Sequence, residues 1–140
     1  MIGGGLEIAA SCHVRVADTT AFFALPEGQR GIYVGGGGSV RVARLVSVAR
    51  MTDMMLTGRS YSAAEAERYN IVQYVVDEGG ALEKAKELAH AIASNSPKSN
   101  YAVINSLPRI ADMSYNDGLY VESLTVASIY SDESEQRITE

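Results

Sequence analysis

Two glutamates close to a glycine-rich segment are the residues of this sequence best suited to chemistry. Glu7 follows the glycines Gly3 to Gly5, and Glu27 lies twenty residues further on, directly after Pro26. A glycine-rich helix start leaves backbone N–H groups free, and such groups stabilise negative charge that develops on an oxygen atom. Two carboxyl groups beside such a site can transfer protons to and from a carbonyl compound. The pattern therefore predicts acid–base chemistry on a carbonyl substrate.

Each glutamate also has a plainer interpretation. Glu7 could be a solvent-facing charge on an amphipathic helix, but its neighbours Leu6 and Ile8 are apolar. A carboxylate among apolar residues is costly unless it is paired or functional. Glu27 taken alone would be a surface residue, since a proline and a glycine flank it and interrupt regular structure. The spacing of the two glutamates is what favours a functional role for both.

Composition predicts one domain and argues against nucleic acid and membranes as partners. The chain has 140 residues, 46% of them apolar, and a formal net charge of −5. Phosphate binding needs clustered cations, and no dense run of lysine or arginine is present. No apolar run approaches the ~20 residues of a membrane span, and the first residues do not resemble a signal peptide.

Thiol and imidazole groups are too few and too scattered for a metal site. Cys12 is the only cysteine, so no internal disulfide can form, which favours a reducing cytoplasm. His13 and His90 lie far apart in the sequence and belong to no metal-binding motif. Cys12 is expected to be a small core residue, because a nucleophilic thiol would need an orienting base.

The predicted elements alternate between short strands and helices before the chain becomes mainly helical. Ser62 and Glu65 form a capping box, and Asn70 suits the left-handed residue that ends that helix. Glu27 is expected on a loop, and Pro108 is expected to break the helix before it. The predicted helices are 3–11, 39–45, 47–56, 62–69, 81–94, 97–107, 116–131 and one that begins at 132 and is cut off at 140; the strands are 13–17, 21–24 and 71–76.

Several motifs in a fixed order resemble the crotonase superfamily of enoyl-CoA hydratases, isomerases and relatives. They are the segment 3–7, the pair Pro26-Glu27, the glycines 35–38, the segment 56–58 and the stretch 63–76. The spacing of the two glutamates matches that of the catalytic glutamates in hydratases. The resemblance implies an α/β fold: the end of a crotonase-like ββα spiral in residues 1–60, then a helical carboxy-terminal trimerisation region in residues 61–140. Family members are much longer, so the chain is expected to be a carboxy-terminal half that is inactive alone.

The resemblance also assigns roles to individual residues. The backbone N–H of Gly4 would form half of an oxyanion hole, Glu7 would orient and deprotonate a water molecule, and Glu27 would deliver a proton to Cα. Leu25, Gly35 and Gly36 would bind substrate. The glycines 35–38 lack the Gly-Lys-Ser/Thr ending of a phosphate loop. They form either a tight turn beside the acyl pocket or a turn alone.

The implied function is hydration of an enoyl-CoA thioester, with fatty acid metabolism as the expected setting. No metal or redox cofactor is implied, because coenzyme A is part of the substrate. The stretch 26–38 is similar to hydratases that act on methylthioacryloyl-CoA. The alternatives are an isomerase, a thioester hydrolase, or a non-catalytic fragment that only oligomerises. The expected partners are an acyl-CoA thioester and further copies of the chain, as a trimer or a dimer of trimers, in the cytoplasm.

Overall fold

The computed structural model describes residues 1–139. This part of the chain forms two compact units, a first unit of Met1–Glu87 and a second unit that begins at Leu88. The division lies inside one long helix rather than after residue 60, where the sequence predicts it. Strand pairing explains the difference, because two strands that follow residue 60 pair with strands that precede it.

Short elements make up the first unit. Their order agrees with the predicted order, apart from one additional strand and one short helix around Glu27. In chain order they are α1 (Gly4–Ala10), β1 (Val16–Asp18), β2 (Phe22–Phe23), a 3-10 helix (Pro26–Arg30), α2 (Gly38–Val46), α3 (Val48–Thr57), β3 (Tyr61–Ser62), α4 (Ala63–Arg68), β4 (Tyr74–Val76) and α5 (Ala81–Ala93), which continues into the second unit.

Two pairs of strands hold the first unit together across long distances in sequence. β1 runs parallel to β4, and β2 runs antiparallel to β3, where Phe23 lies opposite Tyr61. The predicted strand 13–17 begins later than expected, because the backbone N–H of Arg15 donates to the side-chain oxygen of Gln73 at 2.8 Å instead of to a backbone carbonyl. β3 escapes prediction because two residues are too few to show an alternating pattern.

The core of the first unit lies between these strands and helices α1 to α4. Its buried apolar side chains belong to Leu6, Ala10, Ala17, Phe23, Leu25, Val34, Val42, Val46, Met51, Met54, Tyr61, Ala66, Ile71 and Val72. Each predicted element from residue 3 to residue 76 contributes at least one of them, whereas α5 has no buried residue. Burial of this apolar surface is the main force that fixes the segments carrying Glu7 and Glu27.

Tyr61 connects α3 to β3 through a buried polar contact. Its side chain is fully buried, and its hydroxyl donates to Oδ2 of Asp53 at 2.6 Å. Its ring meets Tyr69 edge to face, with the ring centroids 5.6 Å apart. Burial raises the pKa of Tyr61, and the hydrogen bond to Asp53 raises this pKa further. Tyr61 is therefore held as a neutral phenol and serves the core.

Local sequence signals account for several helix ends. The Ser62–Glu65 capping box is confirmed, with both reciprocal hydrogen bonds present at the start of α4. Asn70 is confirmed in the left-handed region with φ of 65°. One expectation is wrong, because Glu27 lies in the 3-10 helix and not on a loop. The helix before Pro108 ends at Asn105, as expected, and Pro108 itself lies in the first turn of a further short helix, where its missing N–H is tolerated.

The second unit is helical in its described part and leaves many apolar side chains exposed. After the end of α5, its elements are α6 (Pro97–Asn105), α7 (Leu107–Ile110), α8 (Tyr115–Ile129) and α9 (Asp132–Thr139). The predicted helix that begins at Asp132 is confirmed, while its expected cut-off at Glu140 lies outside the described residues. Exposed side chains include Tyr101, Val103, Leu107, Tyr115, Tyr120, Leu124 and Val126. Within residues 1–139, no helix combines the length and apolar character needed to cross a membrane.

Candidate active site

Glu7 lies on the buried face of α1. The side chains of Leu6, Glu7 and Ala10 are the buried ones of this short helix, and Glu7 is only 7% exposed. An isolated carboxylate in such a place would lose much of its hydration and would strongly disfavour folding. Glu7 must therefore gain polar contacts inside the protein.

Two backbone N–H groups of the glycine segment provide those contacts. The N–H of Gly36 donates to Oε1 of Glu7 at 2.8 Å, and the N–H of Gly38 donates to the same oxygen at 2.7 Å. Both glycines are needed for the close approach. A Cβ at Gly36 would lie 3.0 Å from Oε2 of Glu7, and a Cβ at Gly38 would lie 2.8 Å from Oε1. The glycine segment is thus shaped around this carboxylate.

Glu27 is equally buried but lacks such partners. It lies in the first turn of the 3-10 helix and is 8% exposed. Its Oε2 is fully buried and has no hydrogen-bond partner among the described residues. Its Oε1 lies against Gly3, where a Cβ would come within 2.6 Å. Leaving a buried polar atom unsatisfied costs about 1–3 kcal/mol, and such atoms are often retained for function.

The 3-10 helix that carries Glu27 is fixed against α3. A Cβ at Gly28 would lie 2.5 Å from the carbonyl oxygen of Met55, so the two backbones are in direct contact there. Nε2 of Gln29 donates to the carbonyl oxygen of Thr57 at 2.9 Å, which satisfies one of the open carbonyls at the end of α3. These contacts hold the 3-10 helix that carries Glu27 against the end of α3.

Gly3 contacts the backbone of Glu7 and the side chain of Glu27. Its carbonyl oxygen accepts the backbone N–H of Glu7 at 3.1 Å, and its Cα side faces Glu27. Gly3 has φ of 53°, a conformation that glycine adopts without strain. The next residue, Gly4, is exposed, and its N–H has no hydrogen-bond partner among the described residues. A free N–H donor therefore lies directly after Gly3, which the Glu27 carboxyl group contacts, and on the same helix as Glu7.

Of the remaining predicted site residues, the two glycines are exposed and the leucine is buried. Gly35 and Gly36 are exposed, and the N–H of Gly36 is directed to Glu7. Leu25 is fully buried in the core, so its side chain offers no surface to a ligand. Gly3 and Gly38 contact the glutamates directly but are not among the predicted site residues. The two runs of consecutive glycines, 3–5 and 35–38, were the available signal for them.

An apolar cavity of about 330 Å³ lies next to the 3-10 helix. Gly28, the residue after Glu27, forms part of its wall. The other lining residues are mostly apolar: Ile32, Tyr33, Ser39, Ala43, Val48, Met51, Thr52, Met55 and Leu56. Its size lies at the lower end of the range for small-molecule sites.

The remaining thiol and imidazole groups lie apart from this site. Cys12 is exposed, so its expected place in the core is wrong; it lies after the end of α1, beyond Ala10, the last buried residue of that helix. Among the described residues, no three or more His, Cys, Asp or Glu side chains come together as a metal site.

Comparison with known proteins identifies the family to which the chain is similar. The family model described as enoyl-CoA hydratase/isomerase matches residues 1–139. Enoyl-CoA hydratase EchA19 of Mycobacterium tuberculosis is 36% identical over 122 residues, which cover 87% of this chain and 46% of the relative. Probable enoyl-CoA hydratase echA8 of Mycobacterium bovis is 35% identical over 134 residues, or 96% of this chain and 52% of the relative. The chain thus spans about half the length of these curated relatives.

Solved structures share the fold. A crystal structure of a Rhodopseudomonas palustris protein that is described as an enoyl-CoA hydratase superposes with a TM-score of 0.94 and 52% identity, over 99% of this chain and 54% of that chain. The enoyl-CoA hydratase structure from Bacillus anthracis gives a TM-score of 0.90 and 33% identity, over 96% of this chain and 53% of that chain. The α/β fold expected from the sequence is therefore confirmed as the matching part of these structures.

Proposed function

This chain belongs to the enoyl-CoA hydratase/isomerase family, and on that premise we propose that it forms part of an enzyme that adds water to an enoyl-CoA thioester. The substrate of the proposed reaction is the conjugated thioester, and the product is the 3-hydroxyacyl thioester. The observation that carries the proposal is a pair of buried carboxyl groups around a free N–H group at Gly4: Glu7 belongs to the helix that begins at Gly4, and Glu27 contacts Gly3.

The oxyanion site would use the N–H of Gly4. As water adds to Cβ of the substrate, negative charge develops on the thioester oxygen, and a backbone donor at that oxygen lowers the barrier. Removing one such donor costs roughly 10²–10³ in rate. The family resemblance implies a second donor from a part of the enzyme outside this chain.

The two glutamates would move the protons. Glu7 takes a proton from water while the water oxygen bonds to Cβ, and Glu27 delivers a proton to Cα. Oε1 of Glu7 already accepts two N–H groups, which leaves Oε2 to accept the proton from water. Oε2 of Glu27 has no partner among the described residues and can donate its proton to the substrate. Both carboxyl groups return to their starting states by proton exchange with solvent.

Hydration is favoured over the other reactions of the family. The resemblance implies that isomerases often lack one of the two glutamates, whereas this chain has both, and both are buried. The apolar cavity lined by Gly28 has a suitable size for a short acyl group. We propose no cofactor besides the coenzyme A of the substrate. An exposed, unpaired Cys12 is compatible with a reducing cytoplasm.

Substitution of the two glutamates tests the proposal in a complete enzyme. A suitable protein is a chimera in which this chain replaces the matching segment of the Rhodopseudomonas palustris protein, whose own activity is measured alongside. Hydration of crotonyl-CoA is followed by loss of absorbance of the conjugated thioester. We expect Glu7→Gln and Glu27→Gln each to lower kcat by roughly 10²–10⁴ while binding of a CoA ester changes little.

The matched control is Glu78→Gln, which removes an exposed glutamate of the same unit and should leave kcat unchanged. Turnover close to that of the unsubstituted chimera in either site variant would contradict the role of that glutamate. If the Rhodopseudomonas palustris protein hydrates crotonyl-CoA and the chimera does not, the result would contradict the proposed function.

A further inference from the structure

We propose that Arg41 is a positioning residue for Glu7, because it holds the Gly36–Gly37 peptide between the two N–H groups that bind the carboxylate. The contact of Arg41 with the Gly36 carbonyl oxygen is present in this chain alone. Its effect on catalysis rests on the proposed function. Arg41 lies in the first turn of α2, outside the residues that touch Glu7.

The arrangement that needs positioning is the convergence of two donors on one oxygen. The N–H groups of Gly36 and Gly38 both reach Oε1 of Glu7, at 2.8 Å and 2.7 Å, and Gly37 lies between them. Glycines have more accessible backbone conformations than any other residue. Four glycines in succession, at 35–38, would therefore not keep both donors aligned without a restraint from outside the segment.

Arg41 supplies such a restraint through its side chain, whose Nη1 donates to the carbonyl oxygen of Gly36 at 3.0 Å. The carbonyl oxygen of Gly37 accepts the backbone N–H of residue 41 at 2.8 Å, which is the first hydrogen bond of α2 and does not depend on the side chain. The guanidinium lies so close to Gly37 that a Cβ there would overlap it, and Gly37 has φ of 95°. Arg41 thus fixes the orientation of the peptide that joins the two donating residues.

This contact is better suited to positioning than to stability. Arg41 is exposed, and a single hydrogen bond from an exposed side chain contributes little to folding. By contrast, a small displacement of a catalytic group can cost about 10²-fold in rate. The planar guanidinium presents several donors in a fixed arrangement, and the ammonium of lysine presents a single point charge. Arginine is therefore the better restraint at this position.

The test is nuclear magnetic resonance of the 140-residue chain, which reports the Glu7 contacts without any need for activity. The probes are the backbone amide resonances of Gly36 and Gly38 and their hydrogen-exchange rates, and Glu7→Gln identifies the shifts that depend on the carboxylate. We expect Arg41→Met to move both amide protons in the same direction as Glu7→Gln and to speed their exchange by roughly tenfold. Arg41→Lys, which keeps one donor group, should fall between the wild type and Arg41→Met.

The matched control is Arg44→Met, one turn further along α2, where Nη1 of Arg44 donates to the carbonyl oxygen of Val40. This variant should leave both glycine amides unchanged. In the chimera, Arg41→Met should lower kcat by roughly 10- to 100-fold with little change in KM. Unchanged Gly36 and Gly38 amides in Arg41→Met would overturn the inference. If those amides respond but the unsubstituted chimera does not hydrate crotonyl-CoA, the positioning role stands and the proposed function fails.

Discussion

In the candidate site, the two carboxyl groups have different hydrogen-bond partners. Glu7 has two N–H donors on one oxygen, whereas Oε2 of Glu27 has no partner among the described residues. This asymmetry suits two different tasks, since one carboxyl group must accept a proton while the other donates one. Glycines make both environments possible, because each carboxyl group lies where a side chain would otherwise be.

The first prediction concerns Gly38. In Gly38→Ala, the new methyl group would come within 2.8 Å of Oε1 of Glu7, so the carboxylate has to move. We expect kcat of the chimera to fall by roughly 10- to 100-fold. We also expect the free energy of unfolding to fall by about 1–3 kcal/mol, because the buried carboxylate is displaced from its two N–H donors.

Steady-state kinetics and urea unfolding of the same preparations measure the two effects. The control is Gly5→Ala, where a Cβ would meet no atom within 4 Å, and its kinetics should match those of the unsubstituted chimera. Equal kcat values for Gly38→Ala and Gly5→Ala would show that the position of Glu7 does not limit the reaction.

At the scale of elements, short segments that are far apart in sequence fix the site. The 3-10 helix is held against α3 by Gly28 and Gln29, and α1 is held next to the glycine segment by Glu7 itself. The parallel strands β1 and β4 are joined at their ends by Asp18. Its carboxylate accepts the hydroxyl of Thr20 at 2.6 Å and the N–H of Gly79 at 3.2 Å.

Asp18 gives a prediction about pH. The hydrogen bond from the Thr20 hydroxyl, followed by that from the Gly79 N–H, lowers the pKa of Asp18 below its ordinary value of 3.8. A pKa that folding lowers adds stability above the unfolded value, and this stability is lost as pH falls through the folded value. We therefore expect Asp18→Asn to be less stable than wild type near neutral pH, and the difference to shrink below about pH 4.

Urea unfolding at a series of pH values measures this difference. Asp77→Asn is the control, because Asp77 is exposed and lies near the same turn. A wild-type advantage over Asp18→Asn that stays constant down to about pH 2 would contradict the assigned role of the carboxylate.

The elements also show what the sequence can and cannot predict. The Ser62–Glu65 capping box and Asn70 were predictable because the relevant contacts are local. The strand β3 and the 3-10 helix around Glu27 were not, because they depend on pairing with β2 and on contact with α3. Likewise, the spacing of Glu7 and Glu27 indicated a site, but the hydrogen bonds from Gly36 and Gly38 to Glu7 required the tertiary structure.

At the scale of the whole molecule, many large apolar side chains of the second unit are exposed to solvent. Leu107 is 61% exposed, Tyr115 81% and Leu124 53%. Exposed apolar residues in such number are typical of a surface that contacts another protein. The family resemblance implies assembly through this region, so we propose that the partner is another copy of the chain.

We expect the chain to form trimers, or trimers paired into hexamers, at a concentration of roughly 50 µM, well within the range of ordinary protein associations. Sedimentation equilibrium measures the mass of the species. Leu124→Glu should weaken the assembly because it places a charge on the apolar surface, while Ser123→Glu on the same helix, which replaces an exposed polar residue, should have a smaller effect. A compact monomer for the unsubstituted chain at this concentration would rule out self-association of this strength.

The last prediction is that the 140-residue chain alone hydrates enoyl-CoA very slowly or not at all. Of the two N–H donors that the proposed reaction needs at the thioester oxygen, only that of Gly4 comes from this chain, and the loss of one donor costs roughly 10²–10³ in rate. The chain spans about half the length of its relatives, so groups that hold the CoA ester are expected to be missing as well. Correct positioning of a substrate can contribute about 7–11 kcal/mol.

These two losses affect different steps, so they should multiply. The chain and the chimera are compared at equal concentration with crotonyl-CoA, and binding of a CoA ester is measured by calorimetry on both. We expect measurable turnover and binding only for the chimera. Hydration by the isolated chain at the rate of the chimera would mean that residues 1–140 contain the complete pocket, and that a second donor to the thioester oxygen has to be sought within this sequence.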